Sequence, residues 1–195
     1  MAEHGGRRIL VLVRHGQSQT NALGIVSSSI EGYSLTKTGF EQAAKAAKSL
    51  SSLGGIDGFY SSPVLRARQT AEVIGEAIGM NAVVDERLRE RWFGKIEGKS
   101  MPSSSNEIWK SDPRNEVMPW VELKAKVSSF IDSAVGSRIV AVSHGDTIEA
   151  ACDLMDGRGA AVHQAHCPRN CNFVIIDLTN REIIAYDVEA VPEGI

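Results

Sequence analysis

No long apolar run occurs near the start of this 195-residue chain. The longest there, Ile9-Leu10-Val11-Leu12-Val13, is too short for a membrane span or a signal-peptide core. Cysteine is scarce and odd in number: Cys152, Cys167 and Cys171. A chain of this length buries a core without covalent staples, so the composition reads as a reduced, cytoplasmic protein and not a disulfide scaffold. Positive charge is not in excess, with 21 Lys and Arg against 24 Asp and Glu and a net charge of −3. That argues against general nucleic-acid binding, which leaves a globally basic footprint. Glycine (18) and proline (6) lie near average, so collagen-like and low-complexity readings fail. Membranes and nucleic acids are set aside as main partners. What remains is an ordinary globular composition, 43% hydrophobic and 23% charged, at a length that fits one domain over 1–195.

Periodicity supplies the organisation. Ile9–Val13 is a continuous β-branched and leucine run, as a strand buried on both faces of a parallel sheet requires. A helix is predicted from Thr38, where Thr38-x-x-Glu41 forms a capping box and Phe40, Ala43, Ala44, Ala47 and Leu50 share one face; Gly54-Gly55 ends it. A short strand near 58–61 leads into Ser62-Pro63, read as an N-cap with proline at the first helical position. The helix that follows, to about Ile78, buries Ala67, Ala71, Ile74 and Ile78. Residues 82–84 and 138–142 read as further strands, the second followed by a helix with Ile148, Cys152 and Met155 on one stripe. Residues 173–178 and 182–186 read as a terminal hairpin. Alternating strands and helices predict an α/β sandwich on a mostly parallel sheet. The stretch 87–135 breaks this rhythm and holds Trp92, Trp109, Trp120 and Ser103-Ser104-Ser105; it reads as a short flap over one sheet edge.

In open α/β sheets ligands bind beyond the carboxyl ends of the strands, so the residues just after each strand carry the chemistry. These are Arg14-His15-Gly16, then Ser61-Ser62-Pro63 with Arg66, then Arg87-Leu88-Arg89-Glu90-Arg91, then Ser143-His144-Gly145-Asp146. Two histidines, several arginines and a carboxylate thus project to one rim. Arginine forks match phosphate oxygens and can neutralise a dianion without a metal. A neutral imidazole suits attack on phosphorus. Phosphoryl transfer demands mostly positioning and charge stabilisation. The leaving alkoxide needs a proton, for which Glu90 is the evident carboxylic acid. Arg87, Arg89 and Arg91 read as an ordinary charged surface loop.

Val13-Arg14-His15-Gly16-Gln17-Ser18 with Asn21 resembles the signature of the histidine phosphatase (phosphoglycerate mutase-like) superfamily. The resemblance continues in order through Leu35-Thr36 with Gly39, Gln42 and Ala43; Ser61-Ser62-Pro63 with Arg66-Ala67 and Gln69-Thr70-Ala71; Leu88, Glu90, Phe93-Gly94 and Glu97-Gly98; and Ser143-His144-Gly145. It implies that fold's three-layer α/β/α sandwich. It implies that His15 attacks phosphate and becomes phosphohistidine, and that Arg14, Arg66 and His144 clamp the phosphoryl oxygens. Glu90 would protonate the leaving group and then activate water, while Ser18 and Asn21 would line the phosphate pocket. It implies a small phosphorylated substrate and neither metal nor organic cofactor. Gln17 departs from the glutamate that commonly follows Arg-His-Gly, Gly32 stands where an acidic residue often precedes Leu-Thr, and no Gly-Glu-Ser motif occurs in the flap. The residues around Glu90 resemble the phosphatase version of that block, and the short span from Glu90 to His144 leaves a small flap. Water entry and hydrolysis are therefore favoured over mutase chemistry, which must exclude water. A mutase and a catalytically idle phospho-ligand binder are the alternatives, and the substrate's identity and the oligomeric state stay open.

Three other patterns invite function and are set aside. Gly94-x-x-x-Gly98-Lys99-Ser100 is one residue short of a phosphate-binding P-loop, and Glu97 would repel phosphate. Cys152 and Arg158 have a thiol-phosphatase spacing, but Asp153 and Asp156 intrude and Cys152 fits a buried stripe. His163, His166, Cys167 and Cys171 form the best zinc candidate, without a paired Cys-x-x-Cys knuckle; no metal is expected. The tryptophans of the flap read as packing anchors that could also wall an apolar pocket.

Overall fold

The computed structural model describes residues 6–28, 33–101, 110, 112–156, 167–192 and 194–195. Among the described residues six strands form one sheet: β1 (Ile9–Arg14), β2 (Gly58–Ser61), β3 (Val83–Val84), β4 (Arg138–Ser143), β5 (Phe173–Asp177) and β6 (Glu182–Val188), in the order β3-β2-β4-β1-β5-β6. The pairs β1/β4, β2/β4 and β2/β3 are parallel, whereas β5 runs antiparallel to both β1 and β6. The helices are α1 (Gln19–Leu23), α2 (Lys37–Leu53), α3 (Leu65–Ile78), α4 (Trp120–Ser133) and α5 (Gly145–Asp156).

Strand alternation sorts the core into two halves. Ile9, Val11 and Val13 face one side, with Val140, Val142, Phe173 and Ile175, and meet Ala43, Ala46, Ala47 and Leu50 of α2 and Ala67, Ala71 and Ile74 of α3. Leu10 and Leu12 face the other, with Ile139, Ala141, Val174 and Ile176, and meet Leu123, Val127 and Phe130 of α4 and Ile148, Ala151 and Cys152 of α5. Two helices cover each face, which makes a three-layer α/β/α sandwich. β1 is buried on both faces, as its unbroken apolar run requires.

Several local expectations are corrected. Helix α2 starts at Lys37, because Thr36, not Thr38, caps it by accepting from the Gly39 N–H. Its inner face is Gly39, Ala43, Ala46, Ala47 and Leu50; Phe40 and Ala44 are exposed. That rotation follows from Gly39, which must lie against the backbone after β1. Ser62 is not the N-cap of α3, which is Val64; the Ser62 hydroxyl accepts from Val64 N–H at 3.3 Å and lies 2.8 Å from His144 Nε2. The stretch 87–135 contains α4, a core helix, and the span 120–133 is therefore not flap. Trp120 packs there, donating from Nε1 to Asp153 Oδ2 at 3.0 Å, with the Arg91 guanidinium 5.4 Å from its ring centre. Helix α1, with a Ser18 capping box, was not expected from periodicity because five residues carry no repeat. Gly32, Ser103, Ser104, Ser105, Trp109, Arg158, His163 and His166 lie outside the described residues.

Candidate active site

Strands β1, β2 and β4 run parallel and end side by side. Arg14 of β1 stands opposite Ser143 of β4. Past the strand ends, His15 N–H donates to Ser143 O at 3.0 Å, and Ser62 N–H to Val142 O at 2.9 Å. His15, Ser62 and His144 therefore leave neighbouring strand ends, and Arg66 rises among them from the first turn of α3. The turn after β1 is held by close backbone packing. A Cβ at Gly16 would lie 2.5 Å from Gly39 O, and one at Gly39 would run into Gln17 O. Gly16 N–H also donates to Thr70 Oγ1 at 3.0 Å.

Hydrogen bonds fix the tautomers of both imidazoles. Arg66 Nε donates to His15 Nε2 at 3.0 Å, and Arg66 Nη2 lies 3.1 Å from His144 Nδ1. A guanidinium donates and never accepts, so His15 Nε2 and His144 Nδ1 carry lone pairs. The ring protons then sit on His15 Nδ1, 2.7 Å from Gly16 O, and on His144 Nε2, 2.8 Å from Ser62 Oγ. The rings stand 5.1 Å apart at 59°, and both are buried. Burial, then the Arg66 and Arg14 charges, hold the His15 pKa well below 6.5; burial, then Arg66, do the same for His144. Both are neutral at pH 7.

The guanidiniums are not fully occupied by protein. Arg66 Nη2 also donates to Ser27 O and Ser28 O, yet its buried Nη1 has no partner among the described residues. Arg14 donates from Nη1 to Pro168 O at 2.7 Å, while its buried Nε has none among the described residues. Burial lowers the Arg66 pKa to about 10, with Glu90 opposing, and the group stays charged at neutral pH. Buried N–H groups of this kind are costly unless something accepts from them. Beside two neutral imidazoles, an anion is the fitting acceptor.

Glu90 is carried in by the chain after the 3-10 turn Glu86–Leu88. Ser143 Oγ donates to Leu88 O at 2.8 Å and Thr147 Oγ1 to Arg89 O at 2.7 Å, so β4 and α5 pin that backbone. Glu90 Oε1 accepts from Arg91 N–H at 2.9 Å, and Oε2 lies 3.8 Å from where a Cβ on Gly145 would stand. Burial, then the negative charge of Asp146, raise its pKa to about 7, against the pull of Arg66 and Lys110. Asp146 is buried, with Oδ1 2.6 Å from Lys110 Nζ and Oδ2 3.6 Å from Arg91 Nη1. The surface-loop reading thus fails for Arg91, which is buried in this pairing.

Arg66 therefore joins His15 to His144, and the charges of Arg14 and Glu90 act on this buried group. Ser18 and Asn21 are placed differently. Ser18 Oγ accepts from Asn21 N–H, and Asn21 Oδ1 from Ser18 N–H, so the pair caps α1. Among the hydrogen bonds of the described residues none joins them to His15, Arg66 or His144; Asn170 makes the link, donating from Nδ2 to His15 O and Asn21 Oδ1. Sequence reasoning missed Asn170, which stands ahead of β5 and not at the end of a described strand, and it read Ser62 as a cap. Among the described residues, no three His, Cys, Asp or Glu converge to hold a metal ion. Cys152 is a core side chain, as its stripe implied, and Cys171 is buried too. No helix of the described residues is long and apolar enough to cross a membrane.

A family model described as histidine phosphatase superfamily (branch 1) matches residues 10–188. The chain is 32% identical over 177 residues to 2,3-bisphosphoglycerate-dependent phosphoglycerate mutase of Thermoplasma acidophilum, covering 88% of each chain. It is 37% identical over 163 residues to "Putative phosphoserine phosphatase 2" of Hydrogenobacter thermophilus, covering 77% of this chain and 79% of that one. Among solved structures, a mycobacterial glucosyl-3-phosphoglycerate phosphatase in complex with VO3 superposes with a TM-score of 0.79 at 24% identity, over 93% and 99% of the two chains. Phosphoglycerate mutase from Bacillus anthracis superposes with a TM-score of 0.76 at 19% identity, over 95% and 94%.

Proposed function

The chain belongs to the histidine phosphatase superfamily (branch 1), and from that footing we propose that it is a phosphomonoester hydrolase working through a phosphohistidine on His15. One observation carries the reading: a buried, neutral His15 whose Nε2 lone pair sits on Arg66, beside guanidinium N–H groups that lack partners among the described residues. The phosphate dianion gives Arg66 and Arg14 their missing acceptors and draws the Arg66 donors off His15 Nε2. That lone pair then attacks phosphorus while the bond to the leaving alkoxide breaks. Glu90, protonated below about pH 7, hands its proton to that alkoxide. The resulting carboxylate takes a proton from water, which displaces His15 from phosphorus and releases inorganic phosphate. The neutral imidazole and the Glu90 carboxylic acid are regenerated. His144 and the two arginines supply the charge and the hydrogen bonds that phosphoryl transfer demands, so no metal is required of this scheme.

The reading takes 1–195 as one domain and a small phosphorylated molecule as the substrate, in keeping with the relatives' names. Three free cysteines fit a reducing, cytoplasmic setting. A mutase reading has its own support in the Thermoplasma relative. The two separate in one assay: purified protein with aryl, sugar and glycerate phosphates in EDTA, following inorganic phosphate and phosphoglycerate isomers together. Release of phosphate exceeding isomer interconversion, and lost in His15→Ala, is the expected result. Interconversion exceeding hydrolysis would replace this reading with the mutase.

A further inference from the structure

A second cavity shares Glu90 with the phosphate site. It has a volume of about 420 Å³ and includes Ser28, whose carbonyl accepts from Arg66. Resting on the phosphatase reading, we propose that this cavity receives the alcohol half of the substrate. Its chemistry selects a low-molecular-weight phosphomonoester with an apolar, ring-sized body that ends in an anionic group. Its position follows from Glu90: a general acid must touch the leaving oxygen, so the group bonded to that oxygen extends into the space on which Glu90 borders. Its size lies within the range of small-molecule pockets.

The walls divide by chemistry. Trp92, Met118 and Leu123 supply apolar surface. Two hydrogen bonds build this side, Met118 N–H to Trp92 O at 2.9 Å between backbones and the Arg91 side chain, through Nε, to Met118 O at 2.7 Å. Trp92 is 44% exposed although it sits beside this surface, so its ring can still lose water to a ligand. Arg87, Arg89 and Lys126 line it as well, with Glu86 as the opposing charge apart from Glu90. Arg87 is already committed to Asp85, Ser129 and Ser133. Among the described residues Arg89 and Lys126 are half-exposed and ion-paired with exposed glutamates, Glu86 and Glu122, and Lys126 Nζ also lies 3.8 Å from Met118 Sδ. Such surface pairs are weak, so a substrate anion can take the glutamate's place. An apolar floor with two exchangeable cations beside it is the complement of a carboxylate-bearing aryl or alkyl body.

The test measures binding and turnover separately. Calorimetry would give dissociation constants of ethylphosphonate, benzylphosphonate and 4-carboxybenzylphosphonate, which keep the anion and cannot be hydrolysed; kcat/KM would be measured on the matching phosphate esters. Affinity should rise in that order, by about tenfold or more from ethyl to benzyl and roughly fivefold on adding the carboxylate. Trp92→Ala should narrow the benzyl-to-ethyl ratio, and the double variant Arg89→Gln with Lys126→Gln should bring the carboxybenzyl-to-benzyl ratio to about one. The wild-type ranking stands even if a variant fails to fold. Equal affinity for all three phosphonates, or ratios untouched in folded variants, would overturn the proposal. The expected ranking without hydrolysis of any ester would keep the pocket and remove the phosphatase reading.

Discussion

His15 and Glu90 carry opposite perturbations, and each has a measurable consequence. His15 is already neutral at pH 7, so the acid limb of kcat/KM is expected well below 6.5. As the proposed proton donor Glu90 must be protonated, and its pKa of about 7 places the basic limb there. Asp146 is the largest charge holding that pKa up. Asp146→Asn should therefore move the basic limb toward acid, as a pH–rate profile would register; an unmoved limb would refute the coupling. Glu90→Gln should cost roughly 10²–10⁴-fold on alkyl phosphates. On 4-nitrophenyl phosphate, whose leaving group needs no proton, the loss should be far smaller, and equal losses would remove the donor role. Arg66→Lys exchanges a fork that reaches both histidines for a single point charge. A loss of about 10²–10³-fold in kcat/KM is expected, with the fold unchanged by circular dichroism.

At the level of elements, glycine packing decides how well the turn after β1 is held. Gly39→Ala on a helix would ordinarily stabilise by up to about 1 kcal/mol. Here the added Cβ meets the Gln17 carbonyl, a rigid backbone atom, and overpacking costs about 1–3 kcal/mol. Clash outweighs propensity, so the urea midpoint should fall with little change in slope. The same contact explains why the inner face of α2 was misread. Periodicity alone puts Phe40 with Ala43 and Ala47, but it cannot register that the loop after β1 needs a residue without a side chain at 39. Ser62 shows the same limit: its sequence context reads as a cap, and a distant histidine shares its hydroxyl. Strands and long helices were legible because burial on one or two faces writes a period into the sequence. Helix α4 was hidden among loop-forming neighbours, and contacts made only by the folded chain were not written locally.

For the whole molecule, the grouping of His15, Arg66, Glu90 and His144 was legible because parallel strands deliver their following residues to one edge. Ser18 and Asn21 show what a motif leaves unsaid: it names residues, and the fold has these two cap α1. Gathering such groups also shapes stability. Below pH 6.5 the unfolded chain protonates His15 and His144 while the folded state resists, so stability falls as pH drops. Glu90 acts in the opposite direction. Its folded pKa of about 7 exceeds the ordinary 4.5, so its contribution is full below 4.5 and lost as pH rises through 7. Thermal melts should show a smaller acid-side fall in Tm for His144→Gln. They should also show Glu90→Gln gaining more at pH 8 than at pH 5. Melts of either variant that run parallel to wild type would contradict these linkages.

In the proposed reaction, the bond from Arg66 Nε to His15 Nε2 means that the nucleophile rests with a cover in place. A stray metal ion or electrophile finds the imidazole already engaged, and only a visitor that offers the guanidinium better company can lift the cover. Recognition and arming then become one event, performed by one side chain.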